Sequence, residues 1–163
     1  METSPVTNVL FVCMGNICRS PAAEAIFKDY VDKAGLSDRI QCDSAGTIGY
    51  HAGHPADGRM RAAGRERGYS LDSISRQVRQ DDFNRFNHVI AMDLDNLDSL
   101  KSLDNRIQGS AKISLMCDFA REHDVREVPD PYYGGSHGFE LVLDILEDAC
   151  EGLLEEIQKD LNK

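Results

Sequence analysis

The sequence predicts an α/β fold in which a small, doubly wound parallel sheet carries helices on both faces. Short apolar runs typical of strands alternate along the chain with helical segments, which is the order of a parallel sheet with helical crossovers. The runs are apolar and partly β-branched, as expected of strands that are buried on both faces. The length of 163 residues fits one domain spanning residues 1–163.

The elements follow from local patterns in chain order. The predicted strands are Asn8–Val12, Ile40–Asp43, His88–Met92 and Lys112–Met116. The first helix is predicted to begin at Ser20, with Pro21 at its first position, and to end at Gly35. A second helix is expected over Ala56–Arg67 and a shorter one after Asp93. The last helix is the clearest, because apolar residues recur at helical spacing from Phe139 to Leu161, with acids on the opposite side.

Composition excludes several classes of protein. The net charge of −10 argues against a nucleic-acid partner. No stretch is long and apolar enough to span a membrane, and a signal peptide is missing, so we expect a cytoplasmic protein without membrane association. The five cysteines are odd in number and irregularly spaced, without a Cys-x2-Cys pair. We therefore expect neither a disulfide framework nor a metal or other cofactor.

The segment from Cys13 to Ser20, Cys-Met-Gly-Asn-Ile-Cys-Arg-Ser, joins the first predicted strand to the first predicted helix. Its backbone N–H groups can converge with the helix N-terminus on one anion. That positive environment favours the thiolate of Cys13, which is the nucleophilic form. Arg19 can grip two phosphoryl oxygens at once, and Gly15 permits the dihedral angles of a curled loop. The segment is therefore interpreted as a phosphate-binding loop with a sulfur nucleophile.

Expulsion of an alkoxide or phenoxide from phosphorus requires a proton donor. Three carboxylates at predicted strand ends are candidates, although each could equally be a helix cap or turn residue: Asp43, Asp93 and Asp118. Asp130 is favoured over them, because a proline on each side fixes its backbone. Tyr132 and Tyr133 follow at once and suit the wall of a pocket for an aryl group.

Together these motifs resemble those of the low-molecular-weight protein tyrosine phosphatases. The matching stretches are residues 12–24, Asp43–Thr47 and Val128–Tyr133, and the similarity covers nearly the whole chain. The resemblance implies a four-stranded parallel sheet of order 2-1-3-4, with the phosphate-binding loop after strand 1. It also implies hydrolysis of phosphotyrosine and small aryl phosphates. The expected partners are phosphotyrosine-containing proteins, and the expected state is a monomer or weak self-association.

By the same resemblance, Cys13 is the nucleophile that forms a phosphocysteine intermediate, Arg19 binds the phosphoryl group, and Asp130 protonates the leaving phenol and then activates water. Ser20 would hydrogen-bond to the Cys13 sulfur. The implied substrate-binding residues are Met14, Gly15, Asn16, Ile17, Cys18, Ser20, Tyr50, Tyr132 and Tyr133, with Tyr50 packing on the substrate ring. Asn16 and Ser44 would support the strained shape of the loop through side-chain hydrogen bonds.

Cys18 has two interpretations. It could be a small apolar filler of the loop, or it could form a reversible disulfide with Cys13 under peroxide and so protect the nucleophile from over-oxidation.

Three other functions compete with phosphatase activity. An arsenate reductase on the same fold would need two further relay cysteines, and no cysteine lies between Cys42 and Cys117. A phosphocarrier would not need Arg19 and Asp130 to speed hydrolysis. A non-catalytic phosphotyrosine-binding module would be expected to lack Cys13 or Asp130, and both are present.

Overall fold

The computed structural model describes residues 5–104, 111–131 and 136–162. The strands are Thr7–Cys13 (β1), Ile40–Gly46 (β2), His88–Ala91 (β3) and Lys112–Leu115 (β4). The helices are Arg19–Lys33 (α1), Gly58–Glu66 (α2), Asp82–Arg85 (α3), Leu94–Leu103 (α4) and Ser136–Leu161 (α5), and a 3-10 helix spans Met116–Phe119. None of the helices in these ranges is long and apolar enough to cross a bilayer.

The four strands form one parallel sheet in the order β2-β1-β3-β4, which confirms the predicted fold. β1 lies in the interior of the sheet, paired with β2 on one side and β3 on the other. At its carboxyl end Cys13 lies opposite Gly46, and Val12 lies opposite Ala91. Ligands of such sheets bind beyond this edge, so the topology delivers Cys13 to the position where a site is expected.

Alternate residues of β1 belong to two separate layers of the core. Val9 and Phe11 pack into the larger layer, on the side of α1 and α5. Leu10 and Val12 pack into the smaller layer, on the side of α3 and α4. This alternation is the period-two geometry of a strand that is covered on both faces. Burial from both sides gives the phosphate-binding loop a fixed starting point.

Two predicted boundaries differ from the structure for a physical reason. α1 begins at Arg19, so Pro21 is its third residue rather than its first. The hydroxyl of Ser20 contacts Cys13 and Asn16 and therefore does not cap the helix. α2 begins at Gly58, because the Asp57 side chain accepts hydrogen bonds from the first backbone N–H groups of that helix.

Two other differences concern β2 and α3. β2 continues to Gly46, which places Asp43 in the middle of a strand rather than at its end. The short helix α3 was not predicted, since one turn leaves no apolar periodicity in the sequence.

Candidate active site

A cleft of about 330 Å³ opens at the carboxyl edge of the sheet, between the loop after β1 and two neighbouring segments. Its lining residues come from the phosphate-binding loop, from the segment after β2 and from the segment before α5: Cys13, Met14, Gly15, Ile17, Cys18, Arg19, Ile48, Tyr50, His51 and Asp130. The cleft thus brings together the thiol, the guanidinium and the carboxylate that the sequence singled out.

The Cys13 sulfur lies buried at the base of this cleft. Ser20 Oγ is 3.0 Å from Cys13 Sγ, and the backbone N–H of Asn16 donates to the same sulfur with an N···S distance of 3.3 Å. Among the described side chains, none caps the first N–H groups of α1. These groups therefore stay available to an anion, and phosphate is a ligand that helix N-termini commonly bind.

Asn16 holds the sharpest bend of the loop. Its φ is +58°, and it is the only non-glycine residue with positive φ in the part of the chain that the structure describes. The side-chain amide donates to Ser20 Oγ at 2.8 Å and accepts from the backbone N–H of Arg76 at 3.0 Å. Asparagine tolerates this left-handed conformation better than most residues, and both hydrogen bonds fix it there.

Arg19 is buried, and its guanidinium connects three segments around the cleft. Nη1 donates to Asp93 Oδ2 at 2.6 Å and to the carbonyl oxygen of Val128 at 2.9 Å. Nη2 lies 3.7 Å from Asp130 Oδ2. Burial opposes the charge, but the neighbouring Cys13 sulfur and the hydrogen bond to Asp93 raise the pKa of Arg19 above its ordinary value. The guanidinium is thus a permanently charged group held by protein contacts.

Of the four candidate acids, only Asp130 lines the cleft. Its side chain is 31% exposed, so the carboxyl can meet a substrate. Asp43 forms an ion pair with Arg76, and Asp118 accepts from the backbone N–H of Leu115. Asp93 binds Arg19 and accepts from the first turn of α4. Asp43, Asp93 and Asp118 therefore serve structural contacts in this fold.

The loop that carries Asp130 is tied to both the sheet and Arg19. The backbone N–H of Val128 donates to the carbonyl oxygen of Met92 at 2.9 Å, directly after β3. The carbonyl oxygen of Val128 accepts from Arg19. One buried residue thus fixes the segment two positions before the candidate acid.

Ser44 does not contact the loop as expected. Its hydroxyl donates to Glu24 Oε1 in α1 at 2.6 Å, so it links β2 to that helix rather than to Asn16. Burial raises the pKa of Glu24, and the Ser44 hydroxyl acts in the opposite direction. Any support from Ser44 reaches the phosphate-binding loop through α1.

The rim of the cleft is aromatic and apolar. Tyr50 is 81% exposed and meets the ring of His51 edge-on, with 4.8 Å between the ring centroids. Met14 and Ile48 are also exposed at this rim. Such a surface suits an aryl group above the phosphate-binding loop. Tyr132 and Tyr133, predicted for the same pocket, lie outside the described residues.

Cys18 lies in the cleft with Cys13, and the other three cysteines do not line it. Burial first, and then the nearby Asp57, raise the pKa of Cys18 to about 12. The thiols of Cys42 and Cys150 donate to backbone carbonyl oxygens of α1. No observation therefore favours a relay of cysteines such as an arsenate reductase would need.

Sequence reasoning missed the segment that supports the loop from behind. The Ser75 hydroxyl donates to the carbonyl oxygen of Gly15 at 3.0 Å. Gly46 is also essential to the fit, since a Cβ there would lie 2.8 Å from the carbonyl oxygen of Met14 and 3.0 Å from that of Ile48. The only trace of this support in the sequence is Gly46 at the end of β2, since a Gly in a strand often marks a close approach of backbones.

Comparison with known proteins gives matches along nearly the whole chain. The family model for low molecular weight phosphotyrosine protein phosphatase matches residues 8–163. A putative low molecular weight protein-tyrosine-phosphatase from Synechocystis is 48% identical over 153 residues, which cover 94% of this chain and 98% of the relative. The human low molecular weight phosphotyrosine protein phosphatase is 36% identical over 156 residues, which cover 95% and 98%. A crystal structure of protein tyrosine phosphatase from Entamoeba histolytica, with Hepes in the active site, has a TM-score of 0.91 at 49% identity and covers 94% of this chain and 98% of that one.

Proposed function

The chain belongs to the low molecular weight phosphotyrosine protein phosphatase family, and on that premise we propose that Cys13 is the nucleophile of a protein-tyrosine phosphatase reaction. The family is shown by the match over residues 8–163, and the chain is accordingly a hydrolase that acts on phosphotyrosine. The observation that carries the proposal is the Cys13 sulfur at the base of the cleft, contacted by the Asn16 N–H and the Ser20 hydroxyl. Both groups can donate to a thiolate, which is the attacking species.

The first step is attack of the Cys13 sulfur on phosphorus. The S–P bond forms while the bond between phosphorus and the phenolic oxygen breaks. The guanidinium of Arg19 and backbone N–H groups of the phosphate-binding loop other than that of Asn16, which donates to the sulfur, bind the three non-bridging oxygens. Charge on these oxygens is stabilised most effectively by donors that are held in place before the reaction begins. The contacts of Arg19 with Asp93 and Val128 support this preorganisation.

Asp130 supplies the proton that the leaving phenolate requires. Its carboxyl group lines the cleft beside Arg19 and is partly open to solvent. After the phenol departs, the Asp130 carboxylate takes a proton from water, which attacks phosphorus and breaks the S–P bond. The sulfur leaves as a thiolate that the Ser20 hydroxyl stabilises at 3.0 Å. Inorganic phosphate is released and the starting protonation state returns.

The substrate ring would lie on the aromatic and apolar rim. Tyr50, Met14 and Ile48 are the exposed side chains that can contact an aryl group while the phosphoryl group occupies the loop. The rim supports phosphotyrosine over phosphoserine, since a shorter side chain would not bring apolar surface to these residues.

Two variants test the assigned roles. Cys13→Ser should abolish hydrolysis of p-nitrophenyl phosphate, and retained turnover would refute the mechanism. Asp130→Ala should lower kcat by about 10²–10⁴, and the loss should be larger for phenyl phosphate, whose leaving group is more basic. An equal loss on both substrates would exclude Asp130 as the general acid. Asp118→Ala is the matched control, because Asp118 accepts from the Leu115 N–H outside the cleft.

We propose further that Cys18 protects the nucleophile during oxidation. Hydrogen peroxide oxidises the Cys13 thiolate to a sulfenic acid by two electrons, and the peroxide is reduced to water. The Cys18 sulfur then attacks that sulfur, the S–O bond breaks, the Cys18 proton leaves with the hydroxyl group as water, and a disulfide forms. Both sulfurs are buried and belong to the same cleft, which brings them together for that step.

Mass spectrometry after peroxide treatment tests this protective role. The wild-type protein should show a Cys13–Cys18 linkage that a thiol reverses, whereas Cys18→Ser should show sulfinic or sulfonic Cys13. Over-oxidised Cys13 in the wild type, without any linkage, would contradict the proposal.

We also propose that the chain functions as a single cytoplasmic domain over residues 1–163, monomeric or weakly self-associating, without nucleic-acid or membrane partners. All five cysteines are free, which fits a reducing compartment. The net charge of −10 repels nucleic acid and other copies of the chain. Sedimentation velocity over a range of concentrations measures the association, and a stable dimer at low concentration would contradict it.

A further inference from the structure

We propose that Ser75 is a positioning residue of the phosphate-binding loop, because its hydroxyl orients the peptide unit whose N–H donates to the nucleophilic sulfur. The inference rests on the proposed role of Cys13. It adds Ser75, which lies about 60 positions from Gly15 in the sequence, to the residues that shape the site. Ser75 does not line the cleft. It acts through the backbone of Gly15 and Asn16.

Hydrogen bonds connect the Ser75 hydroxyl to the Gly15–Asn16 peptide unit, and that peptide unit to the Cys13 sulfur. The Ser75 hydroxyl donates to the carbonyl oxygen of Gly15 at 3.0 Å, and Ser75 is only 4% exposed. That carbonyl and the N–H of Asn16 belong to the same peptide unit. In a trans peptide they point in opposite directions. Holding the carbonyl on the Ser75 side therefore directs the N–H toward Cys13 Sγ, which it meets at 3.3 Å.

This peptide unit needs to be held. Asn16 has a φ of +58°, in the left-handed region that L-residues disfavour. Rotation of the Gly15–Asn16 peptide by half a turn would move that φ to a negative, favoured value and would point the N–H away from the sulfur. Gly15 does not resist the rotation, because it has no Cβ. The hydrogen bond from Ser75 opposes it directly.

The backbone of Ser75 is itself held by hydrogen bonds at both its N–H and its carbonyl group. Its backbone N–H donates to the carbonyl oxygen of His54 at 2.8 Å, and its own carbonyl accepts from Gly53 at 2.9 Å. The next residue, Arg76, donates its N–H to the Asn16 side chain and places its guanidinium on the fully buried Asp82. A hydroxyl anchored in this way can impose an orientation on the loop rather than follow it.

The test compares Ser75→Ala with Ser75→Thr, which keeps the hydroxyl. Ser114→Ala is the matched control, since Ser114 Oγ is buried and has no hydrogen-bond partner among the described residues. The readouts are kcat/KM for p-nitrophenyl and phenyl phosphate, the affinity for orthovanadate, and thermal unfolding. All rates are measured well below the unfolding transition, so that each variant is fully folded.

Ser75→Ala should lower kcat/KM and vanadate affinity together by about tenfold, the scale of one weakened hydrogen bond to a charged group. The loss should be equal for both substrates, because proton donation by Asp130 is untouched. Ser75→Thr should recover to within about threefold of the wild type, as expected when the hydroxyl hydrogen bond is kept. Ser114→Ala should match the wild type in all rates.

If Cys13→Ser is inactive, so that the proposed function holds, either of two results would overturn the inference about Ser75. The first is a Ser75→Ala enzyme within about twofold of the wild type in rate and vanadate affinity, a difference too small for a lost donor. The second is an equal loss in Ser75→Ala and Ser75→Thr, which would show that the hydroxyl is not the acting group. Turnover in Cys13→Ser would instead refute the proposed function, so the two failures are distinguishable.

Discussion

Replacing Arg19 by Lys tests whether the site depends on the planar guanidinium or only on its positive charge. Nη1 of Arg19 holds Asp93 at 2.6 Å and the Val128 carbonyl oxygen at 2.9 Å, while Nη2 lies 3.7 Å from Asp130. A Lys ammonium is a compact charge on a flexible stem. It cannot keep these directions and also present two parallel N–H groups to a phosphoryl group.

The expected size of the effect follows from these contacts. Removing one donor aimed at developing charge lowers kcat by about 10²–10³. Arg19 can supply two donors, but the Lys charge retains part of the attraction. We expect kcat/KM for Arg19→Lys to fall by about 10³, equivalent to about 4 kcal/mol. Stability should fall by about 1–3 kcal/mol, because the buried carbonyl oxygen of Val128 loses its donor.

Steady-state hydrolysis of p-nitrophenyl phosphate and urea unfolding measure the two effects separately. Arg85→Lys is the matched control, since Arg85 is 57% exposed and lies 4.0 Å from Asp81 in an ion pair along α3. It should leave kcat/KM unchanged and alter the free energy of unfolding by less than about 0.5 kcal/mol. A folded Arg19→Lys enzyme with kcat/KM within about tenfold of the wild type would refute the argument for the guanidinium fork.

Gly152→Ala should destabilise the protein by about 1–3 kcal/mol in urea unfolding, because a Cβ there would lie 1.9 Å from the carbonyl oxygen of Phe119; an unchanged midpoint would contradict this packing. For Asp148, burial acts to raise the pKa, but hydrogen bonds from residues 121–123 outweigh it and lower the pKa from 3.8 to about 2. The stability that this carboxylate supplies is complete above about pH 4 and is lost as the pH falls through about 2. Asp148→Asn should therefore lower the free energy of unfolding by about 1–2 kcal/mol at neutral pH, and this free energy should fall less steeply with acid than in the wild type. Urea unfolding at a series of pH values measures both effects. An equal dependence on pH in the two proteins would show that Asp148 does not contribute.

The fold could be predicted because its information is local. β1 is a continuous apolar run between polar segments, and the structure buries it on both faces. Parallel strands with helical crossovers then leave few arrangements. The beginning of α1 could not be predicted in the same way. Ser20 has the side chain of a helix cap, but the curled loop brings Cys13 and Asn16 to its hydroxyl, which contacts them instead.

The sequence could identify the three groups that meet in the cleft, but it could not identify the residues that support them. Cys13 and Arg19 belong to one short segment, and Asp130 carries a local mark in its flanking prolines. Ser75 reaches the loop through a hydrogen bond across about 60 residues. Serine in a polar segment has no distinctive pattern, so only the assembled structure assigns it a partner.

The mistaken helix start and the function of the site have the same cause. A side chain that capped α1 would occupy the place where the proposed mechanism puts a phosphoryl oxygen, since both accept from the same N–H groups. A missing cap costs about 1 kcal/mol, and the left-handed Asn16 about 1–2 kcal/mol. The protein tolerates these two free-energy costs because the buried face of α1 packs on the sheet and on α5. The hydroxyl of Ser20 is therefore best used on the sulfur, where it leaves the helix N-terminus open to the dianion.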